Sequence, residues 1–222
     1  MVVLSTVFFS CGFFTFAQIK KRWVFWYGEL WIRSIAIITG LKIKTIGFDR
    51  INWHKPCVFA ANHSSYLDIA IVMISLPVRF YFLTKKSLFY VPLFGWSLYT
   101  LDHISIDRST TEKAYESICS AAKRIANGQH VLVFPEGGIS RQRGIRPFKK
   151  GAFSMALQAG VPVVPVCVRN SRKLLDIYSK TLMPNGLNVE IEIFEAIKPK
   201  DGPEAKLQIL RETQAIIAEH YQ

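Results

Sequence analysis

From residue 41 onward, short apolar runs alternate with stretches of helical character, and this alternation leaves the chain few architectures to choose from. LKIKTIGF (41–48) alternates apolar and polar residues as a half-buried strand does. CVFAA (57–61), RFYFLT (79–84), HISID (103–107), HVLVF (130–134), VPVVPVCV (161–168) and NVEIEIF (188–194) read as further strands. Residues 66–76, 110–127, 151–159 and 203–220 have helical character and lie between or after them. The βαβ order predicts one α/β domain over 41–222, with a largely parallel or mixed sheet flanked by helices. No internal repeat or low-complexity linker interrupts it. In such sheets ligands gather outside the carboxyl ends of the strands.

The first forty residues follow a different rule. Residues 1–19 contain no charged side chain, and Lys20, Lys21 and Arg22 follow at once. That length just suffices for a helix to cross a hydrocarbon core of about 30 Å. A signal peptide fits poorly, because the segment lacks a basic start and an A-x-A-like cleavage site. Residues 23–41 place Trp23, Trp26 and Trp31 close together, a residue type that favours the membrane interface, and carry only Glu29 and Arg33 as charges. Glu29 and Arg33 stand four apart and can pair on one helix face. Residues 1–40 are therefore expected to form two membrane-associated helices, spanning or re-entrant, with the domain over 41–222 on the cytoplasmic side.

Charge points the same way. The 222 residues carry 28 basic and 16 acidic side chains, a net charge of +12, and half are hydrophobic. The partner surface should be anionic: nucleic acid, anionic lipid or a phosphorylated substrate. Cys11, Cys57, Cys119 and Cys167 are scattered, with no C-x-x-C pair and no histidine at zinc-ligand spacing, so ordinary thiols and no metal are expected.

Two stretches carry chemistry. ANHSSYLDIA (61–70) sets Asn62, His63 and Asp68 beside a run that should be buried, with Ser64 or Ser65 as the N-cap of a helix starting near Tyr66. VFPEGGISR (133–141) ends a strand and turns through Pro135, Glu136, Gly137 and Gly138, where backbone amides can approach a ligand closely. Arg141, Arg143, Arg146, Lys149 and Lys150 follow with no acidic residue among them, either a solvated basic face or a site for a phosphate head group. Arg108 ends ISIDR at another strand terminus. His63, Arg108 and Glu136 each follow a predicted strand, so one cleft can hold all three.

The ordered blocks NHSSYLD, SIDR, FPEGG and VPVVPV resemble the membrane-bound glycerolipid acyltransferases, best known through the 1-acylglycerol-3-phosphate acyltransferases. The resemblance covers about residues 45–170, and FKKGAF (148–153) is similar to the segment between the family's last two blocks. It implies that His63 is the general base for an acceptor hydroxyl and that Asp68 orients its imidazole. No protein nucleophile or cofactor is implied: the hydroxyl attacks the thioester of acyl-CoA or acyl carrier protein directly. The resemblance further implies that Arg108, Glu136, Gly137, Arg141 and Lys149 bind lysophosphatidic acid, and that the Val-Pro strand supports the cleft or is simply core. The expected product is phosphatidic acid, in phospholipid biosynthesis. Departures in two blocks bear on the acceptor: Asp102 and Ser105 stand where the second block usually has Gly and Phe, and Gly138-Ile139 replace the third block's Thr-Arg. Another lysophospholipid or a lyso-aminolipid is the alternative acceptor. A membrane-tethered nucleic-acid binder would not use the His63–Asp68 pair, and no nucleic-acid motif is present.

Overall fold

The computed structural model describes residues 28–30, 32–34, 36–37, 41–92, 94–140, 144–174, 188–199 and 202–221. Seven strands form one sheet: β1 (Lys42–Ile46), β2 (Val58–Ala61), β3 (Phe80–Lys85), β4 (Ile104–Ile106), β5 (His130–Val133), β6 (Val163–Arg169) and β7 (Asn188–Ile193). The helices are α1 (Leu67–Ser75), α2 (Phe94–Thr100), α3 (Thr111–Ala126), α4 (Gly151–Ala159), α5 (Ser171–Leu174) and α6 (Ala205–His220), with a 3₁₀ turn at Lys86–Tyr90.

The sheet order is β1-β7-β6-β2-β5-β3-β4. From β6 to β4 all neighbours are parallel, while β7 runs antiparallel to β6 and carries β1 parallel to itself. The sheet is thus mixed, with a five-strand parallel block at its centre. Alternation along β2 explains how both faces are filled. Val58 and Ala60 point into a cluster with Val131 and Val133, covered by α3, α4 and α6 through Ile125, Phe153 and Ile209. Phe59 and Ala61 point to the other face, where Ile71 and Val72 of α1 pack with Leu132, Val164 and Val166. Four consecutive buried residues in β2 and in β5 are what a strand covered on both faces requires.

All seven expected strands are present, with ends shifted by a residue or two. α1 starts at Leu67, beside Tyr66 as expected, but neither serine takes the N-cap place, which falls to Tyr66 without a side-chain cap. Ser65 still serves the helix start, its hydroxyl accepting from Leu67 N at 3.3 Å. The 3₁₀ turn, α2 and α5 were not expected. Of the two expected N-terminal helices, residues 1–27 lie outside the described residues, whereas the described positions of 28–37 are helical. Arg33 Nη2 and Glu29 Oε1 pair there at 2.8 Å. No helix among the described residues is long and apolar enough to cross a membrane.

Because β2, β3, β4, β5 and β6 run the same way, the segments that follow them emerge at one edge of the sheet. His63 follows β2, Lys86 follows β3, Arg108 follows β4, Glu136 follows β5 and Ser171 follows β6. The topology therefore gathers onto one edge residues drawn from five separate parts of the sequence.

Candidate active site

The turn from β2 into α1 is held almost entirely from within. Asn62 is fully buried, and its side-chain amide donates to Val168 O at 2.9 Å while its carbonyl accepts from Val168 N at 2.7 Å. It thus extends the pairing of β2 with β6 by one side chain and fixes where the loop leaves the sheet. Asp68 sits in the first turn of α1, fully buried. Its Oδ2 accepts from Ser64 N at 2.7 Å and Ser65 N at 2.8 Å, and meets His63 Nδ1 at 3.0 Å. Two backbone donors fix the carboxylate, and the carboxylate fixes the ring. His63 also stacks on Phe134, with centroids 4.0 Å apart and planes 16° from parallel, and Phe134 stacks in turn on Phe82. With Nδ1 engaged by a carboxylate, the ring holds its proton there and leaves Nε2 as the acceptor.

Glu136 is the second organiser. It is 1% exposed, and its Oε1 accepts from His63 N at 2.7 Å while Oε2 accepts from Arg146 N at 3.0 Å. Burial raises its pKa above the ordinary carboxylate value, opposed by those two backbone bonds and by the His63 and Arg146 charges. Ser140 N donates to His63 O at 2.8 Å, and Lys149 N donates to Pro135 O at 2.8 Å. The β5 turn is therefore tied to the His63 loop on one side and to residues 146–149 on the other.

Gly137 has φ +79°, and a Cβ there would stand 2.6 Å from Lys149 Nζ. Only glycine lets this ammonium lie against the turn. Lys149 has its pKa lowered, first by burial and then by the charges of Arg108 and Arg146. Burial lowers that of Arg108 as well, although much of the residue faces solvent. Among the described residues, none of the ion pairs includes Arg108, Arg146 or Lys149. Arg108 and Arg146 thus both act on Lys149, and none of the three is held in an ion pair.

The sequence-derived candidates are accordingly distributed. His63, Asp68, Glu136, Gly137 and Lys149 are linked by the contacts above; Arg108 joins them through its charge; Arg141 lies outside the described residues. The Val-Pro strand is core, with Val163 and Cys167 buried on one face and Val164, Val166 and Val168 on the other. Asp102 has φ +60°, a left-handed conformation that glycine adopts freely and aspartate tolerates, so this departure keeps the backbone shape. Arg124 donates to its carbonyl at 2.9 Å and its carboxylate at 3.1 Å.

Phe134, Ser171 and Tyr221 went unrecognised, and Arg146 was seen only as one cation of the basic run. Phe134 and Arg146 stand inside motifs already singled out. Ser171 Oγ lies 3.0 Å from Ser64 Oγ, and Tyr221 reaches the Ser64 hydroxyl from the end of α6; neither belongs to a recognisable pattern. Beyond Phe82 opens a cavity of about 500 Å³ whose wall combines Met73, Ile74, Leu76 and Phe80 with the polar Glu29, Arg33, Arg79 and His103.

Residues 42–169 match the acyltransferase family model. A chloroplastic 1-acyl-sn-glycerol-3-phosphate acyltransferase of Brassica napus is 30% identical over 193 residues, 86% of this chain and 54% of the relative. That of Salmonella typhimurium is 30% identical over 201 residues, 90% of this chain and 79% of the relative. The chain spans about half the length of the plant relative. The crystal structure of the 1-acyl-sn-glycerophosphate acyltransferase PlsC from Thermotoga maritima superposes with a TM-score of 0.77 at 21% identity, covering 98% of this chain and 93% of that one. With the family model matched over more than half its length, the chain belongs to the acyltransferase family.

Proposed function

We propose that this protein transfers an acyl chain from acyl-CoA or acyl carrier protein to the free hydroxyl of 1-acylglycerol-3-phosphate, forming phosphatidic acid. The observation that carries the reading is Glu136, whose one carboxylate holds both the backbone of His63 and that of Arg146. A base and a cationic rim are thereby kept at a fixed spacing, as an acceptor bearing a hydroxyl and a phosphate requires. The names of the relatives from Brassica napus and Salmonella typhimurium support the same acceptor.

In the reaction, His63 Nε2 takes the proton of the acceptor hydroxyl as its oxygen bonds to the thioester carbonyl carbon. Asp68, bonded to Nδ1, stabilises the imidazolium that forms. Collapse of the tetrahedral adduct breaks the carbon–sulfur bond, and the imidazolium returns the proton to the leaving thiolate. Arg108 and Lys149, with Arg141, neutralise the phosphate, the guanidiniums offering two parallel donors and the ammonium a compact charge. The cavity beyond Phe82 receives an acyl chain along its Met73, Ile74, Leu76 and Phe80 wall, its volume falling in the ordinary range for ligand sites. The buried thiols take no part: burial pushes Cys57 and Cys167 up to about 12, so neither supplies a thiolate nucleophile. Residues 1–40 hold the enzyme at the cytoplasmic face of a membrane.

The test is a panel of lysolipid acceptors, with and without phosphate monoester head groups, assayed with radiolabelled acyl-CoA and acyl carrier protein. Product is expected from lysophosphatidic acid well above any phosphate-free acceptor. Equal rates on a lyso-aminolipid would reassign the acceptor and leave the acyl transfer standing.

A further inference from the structure

We propose that residues 86–100 form a second membrane-contact surface, belonging to the catalytic domain itself, that seats an anionic phospholipid bilayer beside the mouth of the site. Of the eleven exposed large hydrophobic side chains among the described residues, six lie in this segment: Leu88, Tyr90, Val91, Phe94, Trp96 and Tyr99. Single exposed hydrophobics need no explanation, but six concentrated in one short segment do. Tyr99 is 81% exposed, Tyr90 73% and Trp96 50%. Tyrosine and tryptophan are the types that settle at the level of lipid head groups, an apolar ring in the acyl boundary and a polar tip in water.

The surface is shaped rather than loose. α2 buries Gly95 and Leu98, and a Cβ at Gly95 would run into the carbonyl oxygen of Phe89, so the helix rests directly on the 3₁₀ turn. Gly95 N also donates to Val91 O at 2.7 Å. With the two pieces packed as one unit, the aromatic side chains are ordered outward before any lipid arrives.

Charge and position select the occupant. No acidic residue occurs between Asp68 and Asp102, whereas Lys85 and Lys86 stand where β3 runs into this segment, a balance suited to anionic head groups. Lys86 Nζ pairs with Asp107 Oδ2 at 2.9 Å, which binds the start of the segment to the residue preceding Arg108. The unpaired cations Arg108, Arg146 and Lys149 stand on the same edge. A bilayer resting on residues 86–100 would thus present its head groups to the cationic rim, and a lysolipid could reach His63 without leaving the leaflet. This surface is distinct from residues 1–40 and does not depend on which acceptor is used.

The experiment uses the full chain with Cys11 and Cys119 replaced by serine and a polarity-sensitive fluorophore on a cysteine at position 90, 99 or 127. Asn127 follows α3 and precedes β5, at the opposite edge of the sheet. On mixed phosphatidylcholine–phosphatidylglycerol vesicles, the Tyr90→Cys and Tyr99→Cys probes should brighten several-fold, shift to the blue and be quenched by nitroxide lipid. The Asn127→Cys probe should not respond. The double variant Tyr90→Glu/Tyr99→Glu should lose turnover on vesicle-borne acceptor by several-fold and keep it on detergent-dispersed acceptor. The inference is overturned if the two probes stay as in buffer, whether or not the chain sediments with vesicles. It is equally overturned if they are already shielded without lipid, as under another segment of this chain, or quench one another as protein concentration rises, as between two copies. None of these fluorescence outcomes depends on acyl transfer, so they leave the proposed reaction to its own test.

Discussion

Around His63 the hydrogen bonds close on themselves: Asp68 Oδ2 engages three groups, Glu136 accepts two backbone donors, and Asn62 exchanges a pair with Val168. Along the same edge, Arg108, Arg146 and Lys149 form no side-chain ion pair among the described residues, and burial, then the charges of Arg108 and Arg146, lowers the pKa of Lys149. The first region has its geometry set before substrate arrives, which removes reorganisation from the chemical step. The second carries an excess of positive charge without ion pairs, so an anion entering it supplies the missing counter-charge. Orientation is built into one region, and affinity is left for the ligand to complete in the other.

Breaking the closed region should have the largest effect. His63→Ala and Asp68→Asn should each lower turnover by up to about 10⁴-fold, by analogy with the loss seen when a triad's orienting carboxylate becomes an amide. Single-turnover acyl transfer, with membrane sedimentation to confirm intact protein, would measure it; near-normal rates would remove the proposed base.

The next effect comes from beneath the aromatic stack. His103 is buried against Phe82, whose backbone N–H donates to His103 Nδ1 at 3.2 Å, and burial together with the Arg124 and Arg79 charges lowers its pKa to about 4. The unfolded chain binds this proton first as pH falls, so stability should decline from near pH 6.5 until the folded group also titrates near pH 4. The loss should reach about 3 kcal/mol over that window. Urea unfolding at pH 7 and pH 4 would measure it, and His103→Gln should flatten the slope.

Glu136→Gln sharpens the comparison, because it cuts the link between the regions. An amide offers one acceptor where the carboxylate offers two, so His63 N or Arg146 N loses its partner at a cost of about 1–3 kcal/mol. Thermal unfolding should register that cost, and turnover should fall more than acceptor KM rises. The smallest effect belongs to the open region: Arg108→Ala should raise acceptor KM about tenfold, equivalent to about 1.4 kcal/mol. Acyl-donor KM should be unchanged, and Arg108→Lys should recover part of the loss. An acceptor KM indifferent to both variants would deny the rim its phosphate.

The parts of the fold that were legible are those where burial and pattern agree. β2, β5 and β6 are apolar because both faces are covered, and α3 announces itself through Thr110, whose side chain caps Lys113 N. Residues 86–100 escaped because their apolar side chains face outward, so the rule that apolar means inside gives the wrong period. The site was legible where a short spacing carries the chemistry, as in His63 and Asp68. Arg146 was visible only as one cation in a basic run, because its link to Glu136 runs through a backbone N–H that any residue would supply. Tyr221 touches Ser64 from the far end of the chain, a meeting that only the finished fold produces.

A carboxylate is planar and does not stretch, and Glu136 places one such group between the His63 loop and the Arg146 segment. In the proposed reaction it acts as a gauge: the bonds separating an acceptor's phosphate from its hydroxyl must match a distance that the protein has already set. Lysolipids of the same charge but with a longer or shorter spacer would then bind the rim and hold their hydroxyl away from His63, becoming inhibitors rather than substrates. Head-group selection would be exercised in turnover rather than in affinity, and independently of the acyl chain lodged elsewhere.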